Sequence, residues 1–228
     1  LHFGAQPTDD TEDEFTELIE SWVSTPKDED AAGSDRDVMI MRGLDRLERD
    51  LGRPQTRGVT MDEFLESPSS WLSNGASDSR KLEGTRSTKF STYAASTHAQ
   101  LRVDMFDPEP PHYRVFDKRE KGKHRNLISS PWSLFLQMSF VGQQAERRFK
   151  KVVPTSLSRD WTPESWLHVM DTMRTKLFVP IDQSKFDHVP SKRVLLRCAE
   201  ILCKSGTCPF DPEREMISSL ILDRLAHA

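Results

Sequence analysis

The sequence predicts an α+β chain, mostly helical with a few short strands. Apolar residues recur with the helical period along much of its length, and start and stop signals bracket those segments. Two short runs, residues 113–116 and 177–181, read as strands instead. At 228 residues the chain can bury a sizeable core as one large domain or two small ones. Its hydrophobic share is 36% and its charged share 30%, so part of it is expected to stay solvated and irregular.

Residues 14–23 place Phe15, Leu18, Ile19 and Trp22 on one helical face, and the polar stretch 24–34 that follows is expected to be disordered. Residues 37–51 repeat the period through Met39, Met41, Leu44 and Leu47, and Gly52-Arg53-Pro54 stops them. Thr60-Met61-Asp62-Glu63 is a capping box opening a further helix with Phe64 and Leu65. Trp71-Leu72-Ser73-Asn74-Gly75 reads as a helix end with a glycine stop, and residues 74–88 as a mobile loop rich in Gly, Ser and basic side chains.

The strand over 113–116 leads into residues 117–125, with a turn at Gly122, where Lys118, Arg119, Lys121, Lys123 and Arg125 crowd together. Pro131 then starts a helix over 132–151, with Leu134, Phe135, Met138, Val141 and Ala145 facing inward. Arg147, Arg148, Lys150 and Lys151 near its end complement the helix dipole. Thr162 caps a helix reaching residue 175, with Pro163 at its first position. Helices over 191–204 and 213–226 follow, and Ser205-Gly206-Thr207 between them reads as a loop.

The formal net charge of −4 hides an asymmetry: residues 1–36 hold eleven acids against Lys27 and Arg36, which leaves the other 192 residues at +5. The charge of that larger part does not exclude a polyanionic partner. Cys198, Cys203 and Cys208 fit no paired disulfide framework and point to a reducing compartment. With no fourth ligand in view, all three are expected to be buried structural thiols rather than a zinc site. His112, His124, His168 and His188 show no metal spacing, and no apolar run is long enough to span a membrane. A start at Leu1 and a helical period still running near Ala228 lead us to expect a piece cut from a longer polypeptide.

The chemistry gathers in Val179-Pro180-Ile181-Asp182-Gln183-Ser184-Lys185-Phe186-Asp187, where two carboxylates follow the end of an apolar run. Asp182 would sit at the carboxyl end of a buried strand, and a turn would bring Asp187 back to the same rim. One carboxylate could hold Mg²⁺ while the other meets a sugar hydroxyl. Such a pair is common by itself. Its context is not: upstream lies Lys118-Arg119-Glu120-Lys121-Gly122-Lys123-His124-Arg125.

In that order, a basic hairpin-like segment, helices, then a strand with Asp-x4-Asp, the chain resembles the viral RNA-dependent RNA polymerases. Their finger motif F sets Lys and Arg around a Gly-Lys-x-Arg core, and their palm motif A is Asp-x4-Asp. The resemblance covers residues 113–205 and implies the fingers and the start of the palm of a right-hand polymerase. Residues 1–110 would be a helical fingers or extension region with an acidic disordered head, 111–174 the fingers with a basic nucleotide-channel loop, and 175–228 the start of the palm. The resemblance further implies RNA-templated RNA synthesis with Mg²⁺ or Mn²⁺, ribonucleoside triphosphates, an RNA template and nascent RNA. A fungal or similar virus, and host cytoplasm or virion, would be the setting.

By the same resemblance Asp182 would coordinate the catalytic metal and Asp187 would accept a hydrogen bond from the ribose 2′-OH. Arg125 would lie over the triphosphate, with Lys118, Lys121 and Lys123 as neighbouring phosphate or template contacts and Lys185 near the triphosphate. Retroelement reverse transcriptases are the nearest rival. They place an aromatic residue where Asp187 stands, and here Phe186 falls one position short, so the gate admits a 2′-OH. A non-catalytic helical RNA-binding protein is the third reading, and it predicts that Asp182 does not face Arg125. No Asp-Asp pair follows Asp187, so the chain is expected to stop before motifs B and C and to be inactive alone.

Overall fold

The computed structural model describes residues 16–17, 20, 35–77, 79–109, 112–120, 123–152, 162–175 and 191–227. These residues are mostly helical, with one two-stranded antiparallel sheet. In chain order the elements are α1 (Asp35–Leu51), α2 (Met61–Glu66), α3 (Lys89–Ala94), α4 (His98–Met105), β1 (Arg114–Glu120), β2 (Lys123–Ser129), α5 (Trp132–Val152), α6 (Pro163–Thr175), α7 (Lys192–Gly206) and α8 (Pro212–Ala226). The strand expected over 177–181 lies outside the described residues, as does most of the helix expected over 14–23.

Local signals set the boundaries. Gly52 ends α1 in the left-handed region at φ 58°, its N–H returning 2.9 Å to the Glu48 carbonyl. Thr60 and Glu63 close the expected capping box, with the Thr60 N–H donating to Glu63 Oε2 at 2.8 Å. Thr88 and Thr97 open α3 and α4 with the same device, using Ser91 and Gln100. Ser191 caps α7 by accepting from the Val194 N–H at 3.3 Å, and Asp211 caps α8 by accepting from the Arg214 N–H at 3.2 Å.

Helix α5 is the hub, packing against α1, α4, α7 and α8. Its buried Trp132, Leu136, Phe140 and Val141 join Phe64 and Leu65 of α2, Met105 of α4, and Ile217 and Ile221 of α8 in one core. Trp71 belongs to this core: it stacks on Phe64 at 4.8 Å between ring centroids, and its Nε1 donates to the Phe64 carbonyl at 2.7 Å. Ion pairs at the surface tie α7 to α1. Arg197 of α7 meets Asp45 at 2.8 Å and Glu200 at 3.0 Å and also pairs with Glu48, which Lys204 shares, so α7 is laced to α1.

Two expectations are corrected. Ser205 and Gly206 are not loop: they are the last residues of α7, and Thr207 is its cap. Gly206 lies so close to α5 that a Cβ there would stand 2.8 Å from Val141 Cγ1 and nearer still to the Val141 carbonyl oxygen. The hydroxyls here are satisfied inside, Ser205 Oγ donating to the Leu202 carbonyl at 3.0 Å and Thr207 Oγ1 bonding Ser218 Oγ at 2.7 Å. Cys198, expected buried, is exposed because it follows the exposed Leu195 by three residues on the outer side of α7. Cys203 and Cys208 are buried, and burial pushes the Cys203 thiol up to about 11, which leaves it unreactive.

Among the described residues no helix is long and apolar enough to cross a membrane.

Candidate functional site

The basic segment forms an antiparallel ribbon, and both strands run farther than the four residues first read as a strand. Cα partners run from Arg114 and Ser129 at the root through Lys118 and Arg125 to Glu120 and Lys123 at the tip. Directly paired positions, and those two apart along a strand, share a face. Positions 118, 123 and 125 therefore fall on one face with 120, while 119 falls on the other with its partner 124. The register sets position 118 directly opposite position 125, and both are basic in the sequence.

The ribbon grows from a polar root that the sequence reading missed. Asp104, at the end of α4, accepts from Trp132 Nε1 at 2.9 Å and pairs with Arg80. Burial raises its carboxyl above the usual range, with Arg80 and the Trp132 hydrogen bond working the other way. The Gln137 amide donates to the Met105 and Asp107 carbonyls at 3.1 and 3.0 Å, holding the chain that leads to β1. Arg224 of α8, only 2% exposed, donates to Gln137 Oε1 at 2.9 Å, Ser133 Oγ at 3.1 Å and the Asp107 carbonyl at 3.3 Å. Burial lowers the Arg224 pKa, against Asp107, Tyr113 and Glu109, whose charges favour the cation. A cavity of about 230 Å³ opens at this root, lined by Asp104, Asp107, Glu109, His112, Trp132 and Arg224.

Two further cations are held in the body. Arg214 is fully buried, with its Nη2 on the Val59 carbonyl at 2.6 Å, its Nε on Asp211 Oδ2 at 3.2 Å and its guanidinium 3.8 Å over the Phe140 ring. It pins the loop before α2 to α5 and α8. Lys89 lies 3.5 Å over the Phe135 ring, and burial lowers its pKa. The signal for Gln137, Arg214 and Arg224 was available as polar residues at apolar-face positions of helices, where burial demands partners.

Of the candidate residues, the structure brings the backbones of Lys118, Lys123 and Arg125 together on the ribbon. Lys121, in the connection between the strands, lies outside the described residues, as do Asp182, Lys185 and Asp187 between α6 and α7. Among the described residues no group of three or more His, Cys, Asp or Glu side chains could hold a metal ion.

No family model matches the chain, and no solved structure does. The chain is 28% identical over 173 residues to a protein described as a probable RNA-directed RNA polymerase of Giardia lamblia virus (isolate Wang). The matched stretch takes in 74% of this chain but spans only 9% of that relative. Wherever in the chain a stretch of that share begins, it includes the ribbon and most of α5.

Proposed function

We propose that the chain is part of an RNA-directed RNA polymerase, with the β1–β2 ribbon as its triphosphate-binding finger and the Asp182 to Asp187 segment as the start of its palm. The observation that carries this reading is the paired cationic ribbon inside the stretch similar to a probable viral RNA-directed RNA polymerase. Lys118, Lys123 and Arg125 would meet the negative charge of an incoming ribonucleoside triphosphate. Cations placed there are worth most as charge moves from the α-phosphorus to the departing pyrophosphate. In the reaction the 3′-hydroxyl of the nascent RNA, paired to the template, bonds through its oxygen to the α-phosphorus and gives up its proton to solvent as the bond to pyrophosphate breaks.

Asp182 offers the hard oxygen donor that Mg²⁺ or Mn²⁺ prefers. When bound, such a metal supplies Lewis-acid polarisation of the phosphoryl oxygens. The described residues add no cluster that would complete its shell, so Asp182 is the one protein ligand we assign. Asp187 accepts a hydrogen bond from the ribose 2′-OH, a contact that a deoxyribose cannot make. Lys185 lies between these two and is assigned to the triphosphate.

The test uses a polypeptide that carries this chain and extends primed RNA. Asp182→Asn is expected to slow nucleotide addition by roughly a thousandfold, about 4 kcal/mol of barrier. Asp187→Ala should keep most addition but narrow the preference for ribo- over deoxyribonucleotides. Near wild-type addition by Asp182→Asn overturns the reading.

A further inference from the structure

Helices α1 and α7 border a groove of about 560 Å³. Met41 of α1 and Leu196 of α7 make its apolar side, and Lys192 and Arg193 of α7 its basic side. Val38, three residues before Met41 on the same helix, extends the apolar side and is exposed. Glu200 is the one carboxylate among the lining residues, and Arg197 already holds it at 3.0 Å. Arg193 is exposed and forms no ion pair among the described residues. An apolar side next to charge left without a counter-ion fits an amphipathic segment that carries acids.

The chain holds such a segment, joined to the groove by a short connection. The helical period of residues 14–23 sets Phe15, Leu18, Ile19 and Trp22 on one face. Thr16, Glu17 and Glu20 are helical and exposed, and at about 3.6 residues per turn they take the opposite face. Asp9, Asp10, Glu12, Asp13 and Glu14 lead into the apolar stripe. At the other end, Asp37 Oδ2 in the first turn of α1 accepts from Ser191 Oγ at 3.4 Å, and Ser191 lines the groove. The residues between Trp22 and Asp35 reach at most about 40 Å when extended, whereas α7 from Ser191 to Glu200 runs only about 14 Å. Trp22 can therefore reach the whole groove, and the tether keeps it at high effective concentration.

We infer that the amphipathic segment over residues 14–22 docks in this groove of its own chain, with Leu18 and Trp22 against Met41 and Leu196 and the preceding acids against Lys192 and Arg193. The basic ribbon is the rival surface for an acidic segment, but residues 118–125 include no apolar side chain to receive the stripe. Docking in the groove also keeps a polyanionic head from competing for the ribbon cations. The inference goes beyond the polymerase reading and does not rest on it.

The test uses the whole chain with p-benzoylphenylalanine in place of Trp22, mixed with an equal amount of heavy-isotope-labelled chain so that crosslinks within and between chains separate by mass. After irradiation, crosslinks are expected within one chain, at residues 38–42 and 192–200. Leu18→Asp combined with Ile19→Asp should lower their yield roughly tenfold, because the apolar stripe is lost. Lys192→Glu combined with Arg193→Glu should lower it roughly threefold, and adding Asp13→Lys and Glu14→Lys should restore most of that loss. Crosslinks that fall on residues 114–129, that join two chains or that do not form at all overturn the inference. A yield that neither pair of substitutions changes does the same. Nucleotide labelling of the ribbon is a separate measurement, so failure of the polymerase reading leaves this result standing.

Discussion

Arg224 Nη1 lies 2.9 Å from Gln137 Oε1, and the same Gln137 amide donates to the Met105 and Asp107 carbonyls. One buried guanidinium thus fixes one buried amide, and the amide fixes the chain that enters β1. The last helix of the chain therefore sets the footing of the basic ribbon. Replacing Arg224 with Met strands the Gln137 and Ser133 oxygens without a donor and should cost about 2–4 kcal/mol. Adding Gln137→Leu should cost less than the two single changes summed, with a coupling of roughly 0.5–3 kcal/mol in urea unfolding. Strictly additive losses would mean that the two side chains do not act as a pair.

Close helix contact gives a second prediction, with its own control. Gly206→Ala pushes a methyl into the Val141 backbone, and two packed helices cannot part locally without loss elsewhere. A destabilisation of about 1–3 kcal/mol is expected. Gly142→Ala, one residue from that contact on α5, meets nothing within 4 Å. It should stabilise by about 0.5–1 kcal/mol through helix propensity alone. Thermal unfolding of the two variants should therefore move in opposite directions.

That contrast also shows what could be read from the sequence. Local rules wrote themselves plainly: the Thr60 box, the Gly52 stop, Pro131 ahead of α5 and Ser191 ahead of α7 all depend on neighbours within one turn. The mostly helical character and the ribbon followed from the same signals. Gly206 did not, because its role is an approach to Val141, a residue 65 positions away, and Ser-Gly-Thr looks the same in a loop as in a packed helix end. Cys198 failed for a related reason: helical period gives the faces of α7 but not how wide a stripe its neighbours cover. At the candidate site, the hairpin-like reading of the basic run matches the paired backbone of β1 and β2. The partnership of Arg224 with Gln137 joins α8 to α5, and only tertiary packing brings it about.

Acid titration should separate two carboxylates that behave oppositely. Glu63 is held below its ordinary pKa first by the Thr60 backbone N–H and then by the Thr60 hydroxyl. Its contribution is present above the unfolded value and is lost as pH falls through the folded value, because the unfolded chain takes up that proton first. Asp104, raised chiefly by burial, works in reverse: the folded chain binds its proton more tightly, so stability declines as pH rises from the unfolded to the folded value. Glu63→Gln should flatten the acid loss in a plot of unfolding free energy against pH, and Asp104→Asn should remove the opposite slope. Identical pH profiles for wild type and both variants would refute these assignments.

The ribbon's register permits a test that net charge alone cannot pass. Positions 118 and 125 are direct partners and share a face with 123, whereas 119 pairs with 124 on the other. If the first face meets a triphosphate, Arg125→Ala and Lys118→Ala each remove a charge-assisted phosphate contact. Nucleotide affinity, read by labelling with a photoreactive ribonucleoside triphosphate, should then fall roughly tenfold to a hundredfold. Arg119→Ala removes the same unit of charge from the same ribbon and should weaken labelling only slightly, through the screened long-range field. Equal losses from all three would mean that the ribbon attracts anions as a diffuse basic patch, and the face assignment would fail. Loss at positions 118 and 125 but not 119 ties binding to the strand geometry, because all three variants have the same net charge, and Arg119→Ala and Arg125→Ala have the same composition and differ only in where along the ladder the cation stood.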